Sequence, residues 1–182
     1  TVGITGTNGK TTTAALLASI FDAAGMPCGV VGTLHGARTT PEAPELQALL
    51  RGFVDSGKSA AVLEVSSHAL AMHRADGTEF DAVVFTNLGH DHLDLHGSRE
   101  EYFRAKARLF SSEFSQLGVI NTDDPYGRLI ADTAQSIGAG REFRIVAFGT
   151  DDVSDVEVTA AAHRYVWRGR RVEVPMGGDF NV

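Results

Sequence analysis

The segment Gly6-Thr7-Asn8-Gly9-Lys10-Thr11-Thr12-Thr13 constrains this chain more than any other stretch. It follows a short apolar strand, Val2 to Ile4, and opens a helix predicted over Thr12 to Ala24. Glycines let the backbone turn tightly there, so several N–H groups point into one concavity. The positive end of the following helix then favours a polyphosphate. Lys10 is placed to reach the terminal phosphates, and the Thr11 hydroxyl to sit on magnesium. The strict phosphate-loop pattern has glycine where Ile4 stands, so this is a shortened variant, G-x-x-G-K-T-T. A plain glycine-rich turn does not account for four threonines and a lysine around it.

Downstream, strand-like apolar runs alternate with helical ones. Strands are predicted over Gly29–Thr33, Ala60–Val65, Asp81–Thr86, Gly118–Asn121 and Arg144–Phe148. Between them lies Pro44–Ser56, with Leu46, Leu49, Leu50 and Phe53 at helical spacing, then helices near 98–112 and 124–135. This is the pattern of an α/β fold, a mostly parallel sheet with helices on both faces. The tail differs: Val156–Thr159, Arg164–Arg168 and Arg171–Val174 alternate polar and apolar residues, with Arg168-Gly169-Arg170 as a tight turn. A small antiparallel ribbon at the sheet edge is expected there.

A length of 182 residues suits one domain with a full core. No run of 18 apolar residues predicts a membrane span, and no signal peptide opens the chain. Cys28 is the only cysteine, which excludes an internal disulfide and fits a reducing cytoplasm. The net charge of −7 argues against a general nucleic-acid binder. The chain starts without methionine and stops just after a Gly-Gly turn, so it reads as a domain excised from a longer protein.

Ligands of such sheets bind beyond the carboxyl ends of the strands, and the polar residues cluster there. Glu64 interrupts the apolar run Ala61-Val62-Leu63 near one such end. A buried glutamate needs a partner; magnesium shared with Thr11 is the functional reading, a helix cap or structural ion pair the other. Ser66 and Ser67 can cap the next helix. Residues 90–96 hold three histidines and two aspartates, with no cysteine to support zinc. A second hard-cation site using one of these histidines fits better. Lys106 lies within the apolar stripe of Tyr102, Phe103, Leu109 and Phe110, with Arg104 and Arg108 on the outer face. Desolvation there would lower its pKa and open it to carbamate formation, although spacing alone favours a lysine snorkelling over apolar surface. Thr39-Thr40-Pro41-Glu42 reads as a capped turn, and Arg74 as an anion holder or a solvated cation.

Together these segments resemble the central domain of the Mur ligases, ATP-dependent amino-acid ligases of peptidoglycan synthesis. GTNGKTTT, TTPEAPELQ, EVSSHALA, FTNLGHDHLDLHG, YFRAKARLF and GGDFNV span essentially the whole chain. TTPE with EVSSHAL and DHLDLHG points to members that add the third residue of the muramoyl peptide. The resemblance implies that Gly6, Thr7, Asn8, Gly9, Lys10, Thr11 and Thr12 bind the ATP phosphates. It makes Thr11, Glu64, His92 and a carbamylated Lys106 the magnesium ligands, which reverses the preference from spacing. Lys10, Glu64, His92 and Lys106 become the catalytic set. Thr39, Thr40, Ser66 and Arg74 match positions that contact the UDP-MurNAc-dipeptide. Arg38 and Met72 stand where many relatives carry asparagine and glutamine. The resemblance also implies an acyl phosphate attacked by an amino acid, separate UDP-binding and amino-acid-binding domains outside this chain, and a monomeric cytoplasmic parent. The rivals are a folylpolyglutamate-type ligase, against which TTPEAP and EVSSHAL speak, and a non-catalytic ATP-binding switch, which has no need of the Thr39-Thr40 loop.

Overall fold

Strand and helix alternate along the chain much as the apolar runs predict. The computed structural model describes residues 1–89, 97–137 and 143–177. The elements are β1 (Val2–Thr5), α1 (Lys10–Ala23), β2 (Cys28–Val31), α2 (Ala43–Asp55), β3 (Ala60–Glu64), α3 (Ser67–Ala71) and β4 (Ala82–Phe85). They continue with α4 (Arg99–Ala107), β5 (Leu117–Asn121), α5 (Pro125–Ile137), β6 (Arg144–Phe148), β7 (Val153–Val158), β8 (His163–Trp167) and β9 (Arg170–Val174). The predicted 98–112 helix ends earlier, at Ala107, and tightens into a 3-10 turn over Arg108–Phe110.

The six strands β1 to β6 form one parallel sheet in the order β2-β3-β1-β4-β5-β6. Both faces are covered, which is why β3 is buried along its whole length. On one face Ala14 of α1 packs with Ile4, Cys28, Ala60 and Val62. On the other, Leu46 of α2, Leu70 of α3, Tyr102 of α4 and Ile130 of α5 join Leu63, Val83, Phe85 and Ile120. Helix starts follow their end chemistry. Pro44 sits in the first turn of α2 with Glu45 beside it. The Ser98 hydroxyl accepts from Glu101 N to cap α4.

This strand order puts β1 between β3 and β4, with Ile4 opposite both Glu64 and Val84. The carboxyl ends of three strands therefore deliver the glycine-rich loop, Glu64 and the segment after Phe85 to one place. The tail forms the expected small antiparallel ribbon: β7, β8 and β9 pair with one another as a sheet of their own. Gly149 and a 3-10 turn over Thr150–Asp152 redirect the chain before β7 can pair with β6. Arg168 and Gly169, both at positive φ, make the tight hairpin turn that the sequence predicts. Among the described residues no helix is long and apolar enough to cross a membrane.

Candidate functional site

The glycine-rich loop leaves β1 and turns directly into α1, whose first helical residue is Lys10. Gly6 and Gly9 have φ of 154° and 84°. A Cβ on Gly6 would lie 1.9 Å from the Thr86 hydroxyl, so no other residue fits there. The loop is clamped from the β4 side. Thr7 N donates to Asn87 O at 2.8 Å and Asn8 N to Asn87 Oδ1 at 2.9 Å. The Lys10 ammonium folds back over the loop and donates to the Gly6 and Thr7 carbonyls at 2.7 and 2.9 Å. Beyond it lies the N-terminus of α1, whose helix dipole and first-turn amides make it an anion seat.

Glu64 is 1% exposed and lies beside that seat. Its carboxylate accepts from Thr11 Oγ1 at 2.8 Å, Thr33 N at 3.0 Å and Thr33 Oγ1 at 3.3 Å. None of the donors is a cation and none is a helix's first-turn N–H, so neither an ion pair nor a helix cap explains these contacts. Gly32 makes room for the carboxylate, since a Cβ there would stand 2.1 Å from Oε1. A hydroxyl and a carboxylate at the mouth of a phosphate loop form an oxygen donor set that fits magnesium, which takes few protein ligands and keeps waters and phosphate oxygens.

The same network runs on to the substrate-side candidates. Thr40 is 1% exposed; its hydroxyl donates to Glu64 O at 2.9 Å and accepts from Ser66 N at 3.1 Å. Ser66 Oγ caps α3 by accepting from Ala69 N at 3.1 Å. Thr39 and Thr33 hydroxyls lie 3.0 Å apart. Arg74 is half-buried rather than fully solvated: it pairs with Glu42 at 2.9 Å, and its Nε, itself shielded from water, has no partner. Glu42 also pairs with Arg38, while Met72 is exposed.

Lys106 does not snorkel. It is 1% exposed, its Nζ donates to Gly6 O at 2.9 Å, and the ammonium sits 4.6 Å from the centre of the Tyr102 ring. The apolar stripe of α4 packs under the phosphate loop, which leaves the lysine tip no route to water. Tyr102 OH in turn lies 2.9 Å from Thr7 Oγ1. Arg104 is exposed as expected, but Arg108 turns inward. It donates to Leu70 O at 3.0 Å and pairs with Asp76 at 2.8 Å and Glu113 at 3.1 Å. The Arg108 hydrogen bond holds the Asp76 carboxyl below its ordinary range. His92, with the rest of 90–96, lies outside the described residues.

The structure therefore gathers Lys10, Thr11, Glu64, Thr39, Thr40, Ser66 and Lys106 around one phosphate loop. It adds Thr33, Thr86 and Asn87, which the sequence reading passed over. Each is a polar residue just past an apolar strand (Val31 or Phe85), and that position was the available signal.

Residues 4–182 match the Mur ligase middle domain family. The chain is 44% identical over 182 residues to a UDP-N-acetylmuramoyl-L-alanyl-D-glutamate--2,6-diaminopimelate ligase of Geobacter sulfurreducens, covering 87% of this chain and 36% of that protein. It is 37% identical over 209 residues to a UDP-N-acetylmuramyl-tripeptide synthetase of a Roseiflexus species, covering all of this chain and 41% of that one. A solved structure of a 2,6-diaminopimelate ligase of the same name is similar, with TM-score 0.84 and 34% identity over 99% of this chain and 40% of the other. The chain spans little more than a third of the length of such relatives.

Proposed function

This chain belongs to the Mur ligase family, and on that premise we propose that it is the central ATP-binding domain of a ligase that adds the third amino acid to UDP-MurNAc-L-Ala-D-Glu. The relatives' names make 2,6-diaminopimelate the first amino acid to test. The observation that carries the proposal is that Glu64 bridges two sides: its carboxylate accepts from Thr11, and its backbone carbonyl accepts from Thr40, which in turn accepts from Ser66 N. It joins a phosphate site to a polar surface that can hold a carboxylate substrate.

In this reading the first-turn amides of α1 and the Lys10 ammonium hold the ATP phosphates over the loop, and Thr11 and Glu64 hold magnesium. When bound, magnesium neutralises charge on the phosphate oxygens. Phosphoryl transfer depends chiefly on positioning and charge neutralisation, so Lys10 supplies what the step to an acyl phosphate needs. Thr39, Thr40, Ser66 and Arg74 face the UDP-MurNAc-dipeptide. Lys106 carries a carbamate in the active enzyme: its burial disfavours an ammonium, and the tip sits at the start of the loop. His92 completes the metal ligands. The UDP-binding and amino-acid-binding domains lie in the parent beyond residues 1–182, and the parent works as a cytoplasmic monomer.

Phosphate release by the full-length parent tests the proposal. It is expected only when ATP, UDP-MurNAc-L-Ala-D-Glu and the amino acid are all present. Release without the muramoyl dipeptide would refute the substrate assignment. The 182-residue chain alone is expected to bind Mg-ATP weakly and form no amide.

A further inference from the structure

We infer that Asp124 is a positioning residue of the nucleotide site, holding the segment 86–89 and through it the phosphate loop; this rests on reading Gly6–Thr12 as an ATP site. The loop is shaped by contacts from that segment. Thr86 Oγ1 donates to Asn8 O at 2.6 Å, Asn87 takes the Thr7 and Asn8 amides, and Gly89 N donates to Thr7 Oγ1 at 2.8 Å. Residues 86–89 lie past the end of β4; Thr86 N still donates to Thr5 O at 3.1 Å, but Leu88 and Gly89 lie beyond the sheet ladder.

Their anchor comes from the β5–α5 turn. Asn121 Nδ2 donates to Thr86 O at 2.9 Å, and Leu88 N donates to Asp124 Oδ2 at 2.7 Å. The other carboxylate oxygen, Oδ1, accepts from Tyr126 N at 2.8 Å and caps α5. Leu88 is 4% exposed, so water is a poor substitute acceptor for its amide. The turn itself is rigidly seated: a Cβ on Gly127 would stand 1.8 Å from Asn121 O. Asp124 thus does two jobs with two oxygens, and only the bond to Leu88 reaches the phosphate loop.

Asp124→Ser separates the two. Serine caps a helix about as well as aspartate, but its short side chain does not span to Leu88. Titration of the 182-residue chain with Mg-ADP by calorimetry, alongside thermal melting without nucleotide, reads both roles. The serine variant is expected to bind Mg-ADP on the order of tenfold more weakly with its melting point nearly unchanged. Asn121→Ala keeps the Asp124 carboxylate and its cap while removing the bonds from Asn121 to Thr86 O and from Asp123 N to Asn121 Oδ1; it is expected to weaken binding in the same direction, and it decides the matter if the serine variant does not fold. Variants that bind as tightly as the unaltered chain would overturn the inference and leave Asp124 as a helix cap. An unaltered chain that binds no Mg-ADP would instead overturn the ATP reading on which the inference stands.

Discussion

Glu64→Gln should separate metal chemistry from folding. The carboxylate is 1% exposed and accepts three hydrogen bonds, two from hydroxyls and one from Thr33 N. Glutamine has the same length. It keeps one oxygen for Thr33 N and turns an NH2 toward hydroxyls that can rotate to accept. Hydrogen bonds to a charged group are worth about 1.5–3 kcal/mol against about 0.5–1.5 for neutral ones. Weakening two of them by about 1 kcal/mol each costs about 2 kcal/mol. Against this, a buried carboxylate carries a desolvation penalty of several kcal/mol that glutamine avoids. The terms oppose, so the nucleotide-free chain should melt within about 8 °C of its unaltered counterpart. Magnesium-dependent binding of ADP should behave differently. Loss of the anionic ligand is expected to reduce it about 100-fold, the scale of removing one preorganised charge. Scanning calorimetry without nucleotide, then titration with ADP in magnesium or in EDTA, measures both. Magnesium-dependent affinity kept within twofold would refute Glu64 as a metal ligand, and collapse of the apo fold would make it a structural keystone instead.

In the full-length parent, Lys10→Ala should lower the rate about 100-fold or more, and a change below twofold in phosphate release would reject its role. Lys106→Ala should lose most activity and regain part of it with added acetate, whereas Lys106→Arg should stay inactive because an anion is required there; an arginine variant as active as lysine would refute the carbamate. Asp76 contributes through its depressed carboxyl, so its stabilisation is present above the unfolded value near pH 4 and lost as pH falls through the lower folded value. Urea midpoints from about pH 5 down to about pH 2 should therefore fall more steeply for the unaltered chain than for Asp76→Asn, and equal slopes would refute it.

Much of the fold is written locally. A strand's apolar run, a glycine loop with Lys10 and Thr11, a proline in the first turn of α2 and a serine before α4 each act within a few residues. They set the number, kind and approximate limits of the elements, and they mark Gly6–Thr12 and Glu64 as a candidate site. What they do not set is which elements meet. The apolar stripe around Lys106 is the same whether the helix lies on an open flank or under a phosphate loop. Only the sheet order, with β1 between β3 and β4, puts Gly6 O within 2.9 Å of its tip. Arg108 likewise looks outward by spacing, until α3 and the turn after it bring Leu70 O and Asp76 to it. Thr33 reads as a strand end, Asn87 as a loop residue and Asp124 as a helix start, with no sign of a role in the site, because their partners lie 31 to 79 positions away. Composition and periodicity report how a segment shares itself between water and core. The partner of a buried polar atom is chosen by topology, and it becomes visible only when distant strand ends are laid side by side.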